Sequence, residues 1–141
     1  MANKAKILLV EDDVPTAEMV KILLSRSGCD ASIAHTGKEG MGLAMEFKFD
    51  LIILDIDFPD TIGFDLFSRL RKVAGTALTL ILFISGRSDE ANRRRGFKLG
   101  AVDYIEKPFF SGSVFTHRIL SHLKIKPHSD PTTQFSGKAK L

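Results

Sequence analysis

The sequence predicts an α/β fold: a five-stranded parallel sheet with helices on both faces. Three observations lead there. Short apolar runs alternate five times with longer stretches of helical periodicity. Three of the runs, at 7–10, 51–54 and 78–84, are continuously or almost wholly apolar instead of alternating, as strands covered on both sides are. The length, 141 residues with 44% hydrophobic and 26% charged side chains, suits one domain with a sizeable core. Alternating strands and helices imply right-handed crossovers and a doubly wound sandwich. In such sheets the site lies beyond the carboxyl ends of the strands.

The elements follow in order. ILLV at 7–10 is the first strand. Residues 14–27 form a helix with Val20, Leu23 and Leu24 on one face, Pro15 near its start and Gly28 as its stop; Asp13 is its N-cap. Residues 31–34 are a short second strand. Residues 38–47 read as a helix despite Gly40 and Gly42. LIIL at 51–54 is the third strand, and 64–73 a helix with Phe64, Phe67 and Leu70 in line. Residues 78–84 form the fourth strand. Residues 88–99 form a helix with Ser88 as N-cap and Gly100 as stop. Residues 102–105 are the fifth strand, and 113–124 the last helix, with Phe115, Ile119 and Leu123 aligned.

Composition excludes several classes. No run approaches the ~18 apolar residues that span a bilayer. The amino terminus has no small-residue cleavage site, so it does not read as a signal peptide. A single cysteine, Cys29, excludes an internal disulfide framework. These features point to a cytoplasmic protein. Of the net charge of +3, all sits in 124–141, where four lysines face Asp130; residues 1–123 are neutral overall. Basicity is therefore poor support for a nucleic-acid-binding face. Pro, Ser, Thr and Gly dominate from 125 on without periodicity, so 1–124 is read as the domain and 125–141 as a flexible tail or the start of a linker.

The strand ends carry the chemistry. Strand one runs into Glu11-Asp12-Asp13, strand three into Asp55 and Asp57, strand four into Ser85, strand five into Lys107-Pro108. Strands one and three are neighbours in a sheet of this type, so Glu11, Asp12 and Asp55 converge. Carboxylates this close repel unless a cation intervenes. An all-oxygen cluster suits a hard ion such as Mg²⁺. A hydroxyl and an ammonium opposite suit phosphoryl oxygens. The assembled chemistry is phosphoryl transfer to a carboxylate, with Asp55 as nucleophile. Taken singly, each residue has a plainer reading as cap, turn or loop; their order along the chain is the signal.

With those residues in place, the sequence resembles the response-regulator receiver domains of two-component signalling, of the chemotaxis-regulator type. The resemblance rests on ILLVEDD (7–13), DLIILDIDFPDTIGFDL (50–66), LILFISG (80–86) and GAVDYIEKPF (100–109), and spans about 5 to about 124. It implies a flavodoxin-like strand order 2-1-3-4-5. It implies Asp55 as phosphoacceptor, Asp12 as direct Mg²⁺ ligand, Glu11 acting more through water, and the Asp57 backbone carbonyl as a further ligand. Ser85 and Lys107 would contact the phosphoryl oxygens, and Tyr104 would be the aromatic switch residue that turns inward. The Lys107-Pro108 bond would be cis. The implied protein catalyses only its own phosphorylation and dephosphorylation. Its donor is a sensor histidine kinase or phosphotransfer protein. A downstream effector meets the face built from helix four, strand five and helix five. A homodimer through that face is open; neither direct nucleic-acid binding nor membrane contact is expected.

One departure concerns the loop after strand three, where Ile62 stands in place of the usual acid, so that acid's cap is not expected here. Asp57 adds a carboxylate beside the phosphoryl position and is expected to alter the phosphoryl lifetime. Two alternatives remain at this level. A haloacid-dehalogenase-like phosphatase also uses an aspartate in D-x-D, as in Asp55-Ile56-Asp57, but places its metal-binding acids after the lysine. A receiver-like module silent to phosphate would act by binding alone. Elsewhere, Arg93-Arg94-Arg95 cannot share one helical face, and Asp89–Arg93 and Glu90–Arg94 form i,i+4 pairs. The four histidines read as scattered surface residues, Cys29 as a small buried apolar side chain, Met41 and Met45 as core filler, and Phe109-Phe110 as packed under the last loop.

Overall fold

A computed structural model describes residues 4–86, 89–107 and 112–124. Five strands and five helices alternate: β1 (Lys6–Val10), α1 (Val14–Arg26), β2 (Asp30–Ala34), α2 (Gly37–Glu46), β3 (Leu51–Asp55), α3 (Gly63–Arg71), β4 (Leu80–Ser85), α4 (Glu90–Leu99), β5 (Tyr104–Glu106) and α5 (Gly112–His122). The strands form one parallel sheet in the order β2-β1-β3-β4-β5, as expected.

The continuous apolar runs bury both strand faces. Alternate residues point to opposite sides. Ile7, Leu9, Leu51, Ile53, Leu82 and Ile84 meet Val20 and Leu24 of α1 and Phe115 and Ile119 of α5. Leu8, Val10, Ile52, Leu54, Ile81 and Phe83 meet Ala44 of α2, and Phe64, Phe67 and Leu70 of α3. Each fully buried side chain of this size contributes about 1.5–3 kcal/mol of burial energy. The sheet is therefore held from both sides, and its carboxyl edge is a rigid platform.

Caps set the helix ends. Asp13 accepts from the Thr16 backbone N–H at 3.0 Å, and Pro15 occupies the first turn, where its missing N–H costs nothing. Gly100 closes α4 in the left-handed conformation, φ +112°. The start of α4 differs from the sequence reading. Its N-cap is Asp89, which accepts from the Asn92 N–H at 2.8 Å; Ser88 lies outside the described residues. An aspartate one position later offers a full carboxylate to the same free donors. Two further corrections concern apolar residues. β4 begins at Leu80: a short 3-10 turn at Ala74–Thr76 follows α3, and Leu78, between that turn and the strand, is 95% exposed. Met45 is 66% exposed on α2, not core filler, whereas Met41 packs against the core. Cys29 is buried and unpaired with another cysteine, as expected.

Candidate functional site

Register alone brings the strand ends together. Val10 pairs with Leu54, so Glu11 follows β1 beside Asp55. Asp55 pairs with Ile84, one residue before Ser85, and Ser85 pairs with Glu106, one residue before Lys107. The Lys107 N–H donates to the Ser85 carbonyl at 2.8 Å, and the Glu11 N–H to the Ala34 carbonyl at 2.9 Å. The last apolar residue of each strand thus fixes where the first polar one emerges.

At the centre lies the Lys107 ammonium, 2.5 Å from Glu11 Oε1 and 3.1 Å from Asp55 Oδ2. Glu11 is fully buried and Asp55 nearly so, while Asp12 and Asp57 face solvent. One oxygen from each of Glu11, Asp12 and Asp55 lies within 4.8 Å of the others. The other oxygen of Asp55 accepts from the Ile56 N–H at 2.6 Å, which fixes the carboxylate plane. Glu11 Oε2 accepts from the Asp13 N–H at 3.2 Å.

The charges are out of balance. One ammonium pairs with two of three neighbouring carboxylates. Burial, with Asp55 adding to it, pushes the Glu11 carboxyl up to about 7, and Lys107 offsets only part of this. Burial disfavours the charged form of Lys107, but the two carboxylates outweigh it and raise its pKa. Such a cluster is short of positive charge at neutral pH, and its donors are all oxygen, which fits a hard divalent cation.

The remaining predicted residues lie alongside. Ser85 is fully buried, with its hydroxyl close enough to the Tyr104 phenol to act on it. Tyr104 is itself fully buried, its ring 6.4 Å from that of Phe83. Burial raises the Tyr104 pKa, with the Ser85 hydroxyl opposing. Arg93 of α4 covers the ring at 5.6 Å and donates to the Tyr104 carbonyl at 3.2 Å. Pro108 and the bond before it, like Phe109-Phe110, lie outside the described residues.

The arginine triplet splits three ways, as its spacing requires. Arg93 lies on Tyr104, Arg94 pairs with Glu90 at 3.6 Å in solvent, and Arg95 lies over Phe64 at 4.4 Å. The expected Asp89–Arg93 pair gives way to Asp89 capping α4 and Arg93 bonding β5.

Three polar contacts were not legible in the sequence. Asp103 accepts from the Arg118 guanidinium through both carboxylate oxygens and lies 2.9 Å from His122 Nε2. His122 is therefore not a scattered surface residue. The i,i+4 spacing of Arg118 and His122 on α5 was the available signal, but nothing local names their partner. His35 Nδ1 lies 3.0 Å from the Glu11 carbonyl, just beside the acids. Asp60 accepts from the Gly37 and Lys38 N–H groups at 2.9 Å each.

A five-stranded parallel sheet in the order 2-1-3-4-5, with acids, a hydroxyl and a lysine gathered at its carboxyl edge, defines a doubly wound α/β domain of flavodoxin-like topology. Within that class the chain belongs to the response regulator receiver domain family, whose sequence model matches residues 7–119. It is 41% identical over 104 residues to the probable transcriptional regulatory protein SilR of Salmonella typhimurium, covering 74% of this chain and 45% of that protein. It is 34% identical over 107 residues to the transcriptional regulatory protein ResD of Bacillus subtilis, covering 76% of this chain and 43% of that one. The chain thus spans less than half the length of these curated relatives. Among solved structures, the non-phosphorylated HemR receiver domain from Leptospira biflexa superposes with a TM-score of 0.79 at 35% identity, covering 89% of this chain and all of that one. Membership sets aside the dehalogenase-like alternative. The chain is the receiver domain of a two-component signalling protein. Among the described residues no helix is long and apolar enough to cross a membrane.

Proposed function

We propose that this receiver is a phosphoacceptor switch in which Asp55 takes a phosphoryl group from a histidine of a sensor kinase or phosphotransfer protein. The observation that carries the reading is the Lys107 ammonium bridging Glu11 and Asp55 across two strand ends. An Asp55 carboxylate oxygen attacks phosphorus, the P–N bond to the donor imidazole breaks, and an acyl phosphate forms. Asp55 Oδ1 is held by the Ile56 N–H, which leaves Oδ2 on the Lys107 side for bond formation. The ammonium is placed to follow charge as it develops on the phosphoryl oxygens. The Ser85 hydroxyl would contact a phosphoryl oxygen, and Tyr104 beside it would couple the site to β5 and α4.

Glu11, Asp12, Asp55 and the Asp57 carbonyl would hold Mg²⁺, which supplies neutralisation of the carboxylate and phosphoryl charge. On this reading 1–124 is the working unit, with 125–141 as tail or linker start. The face of α4, β5 and α5 meets the downstream effector or a second copy. The relatives are transcriptional regulators by name, and any contact with DNA would belong to a further domain of such a protein, not to this unit. Intact mass after incubation with acetyl phosphate tests the proposal. A Mg²⁺-dependent gain of one phosphoryl group, absent in Asp55→Asn, is expected. No gain with Mg²⁺ present would leave a receiver that acts by binding alone.

A further inference from the structure

The segment joining β3 to α3 is a miniature hairpin. Asp57 and Ile62 form an antiparallel bridge, the Phe58 N–H donates to the Thr61 carbonyl at 3.1 Å, and Pro59-Asp60 form the tip. Ile62, at the N-cap of α3, makes no side-chain cap bond, so the hairpin has no polar anchor on its own helix. Its anchor is on another. Asp60 places Oδ1 on the Gly37 N–H and Oδ2 on the Lys38 N–H, each at 2.9 Å. The Thr36 hydroxyl takes the Glu39 N–H at 3.1 Å. The free donors of the first turn of α2 are thus shared between its own N-cap and a loop 22 residues or more away. The approach is close: a Cβ at Gly37 would stand 2.3 Å from Thr61 Cγ2 and 3.4 Å from Asp60 Oδ1.

The hairpin starts two residues after Asp55, and one side of its bridge is Asp57. We propose that Asp60 is a positioning residue for the cation site: by clamping the hairpin tip to α2 it holds the Asp57 backbone at the acid cluster. The inference rests on the reading of Glu11, Asp12 and Asp55 as a Mg²⁺ site. Groups that orient metal ligands without touching the metal commonly change affinity by about 10–100-fold. Here the clamp acts through one short loop, and the low end of that range is expected.

Calorimetric Mg²⁺ titration of the full chain tests this, alongside thermal melting without Mg²⁺. Asp60→Ala is expected to weaken Mg²⁺ by about tenfold. Asp60→Asn, which keeps an acceptor for one of the two helix N–H groups, is expected to lose less affinity than Asp60→Ala. Thr36→Ala removes the other cap of the same helix and controls for destabilised α2. It is expected to lower the melting temperature about as much as Asp60→Ala while leaving Mg²⁺ affinity unchanged. The proposal is overturned if Asp60→Ala binds like the parent, if Thr36→Ala weakens Mg²⁺ equally, or if Asn and Ala lose equally, which would show that the hydrogen bond Asn retains to α2 does not matter. A parent chain that binds no Mg²⁺ would instead overturn the underlying reading of the acid cluster.

Discussion

The Arg93 guanidinium lies 5.6 Å from the centre of the Tyr104 ring and donates to the carbonyl of the same residue, so one side chain of α4 grips β5 twice. Gly96, one turn on, makes room for the same ring: a Cβ there would stand 3.2 Å from Tyr104 Cδ2. Tyr104 is the only tyrosine, and the chain has no tryptophan, so its fluorescence reports this contact directly. Arg93→Ala should cost about 1 kcal/mol, from the lost ring contact and hydrogen bond, and should increase acrylamide quenching of Tyr104. Unchanged quenching would mean that Phe83 and Ser85 suffice to hold the ring.

Acid stability should depend on Asp103. Burial alone would raise its pKa, but Arg118, His122 and the Tyr104 N–H outweigh this and hold it below the ordinary 3.8. A depressed carboxylate contributes stability that is fully present above 3.8 and is lost as pH falls through the lower folded-state value. Because the Arg118 side chain is 41% exposed, solvent screens the pair, and Asp103→Ala should cost about 1–2 kcal/mol near neutrality. Urea unfolding at pH 7 and in strong acid checks this. The gap between parent and variant should close in acid; a constant gap would assign the loss to side-chain contacts instead of charge.

Gly63 should tolerate no side chain. A Cβ there would stand 2.2 Å from the Asp55 carbonyl oxygen and 2.8 Å from Ile56 Cα, both backbone atoms that cannot rotate away. Gly63→Ala should destabilise by about 2–3 kcal/mol and, if Asp55 is the acceptor as proposed, reduce phosphoryl uptake, since the obstacle is the Asp55 backbone. Gly40→Ala meets only the Val10 side chain and should cost less. Denaturant midpoints of the two variants, compared directly, decide it.

Asp57 is exposed at the rim of the acid cluster, where a carboxylate can orient water toward an acyl phosphate. Asp57→Asn should therefore lengthen the lifetime of the phosphoprotein without preventing its formation. Decay of the phosphorylated mass in parent and variant measures this, and identical lifetimes would refute a role for the side chain.

The site was legible because its residues sit at strand ends. Glu11, Asp55 and Ser85 each follow an apolar run, Lys107 follows the end of β5 directly, and parallel register carries such positions to one edge whatever the loops do. The arginine triplet was legible too, because helical geometry forbids three consecutive residues one face. Asp60 was not: a polar residue after a proline in a loop reads as a turn, and its partners lie on α2. The same holds for Asp103, whose partners Arg118 and His122 are one turn apart on a helix that names no acid. Leu78 reads as part of β4 in the sequence because apolarity marks strands and exposed loop leucines alike, and the structure leaves it outside the strand.

By itself, then, the sequence determined the alternation of strands and helices, the two-sided burial of the sheet and the set of polar groups at its carboxyl edge. These depend on hydrophobic periodicity and chain order, both local properties. Tertiary structure decided which charges meet. Lys107 bridges Glu11 and Asp55, Asp60 clamps α2, and Arg93 turns from Asp89 to Tyr104. A polar side chain has several partners within its own segment. Only folding brings the distant one close enough, with enough water removed, for that contact to prevail.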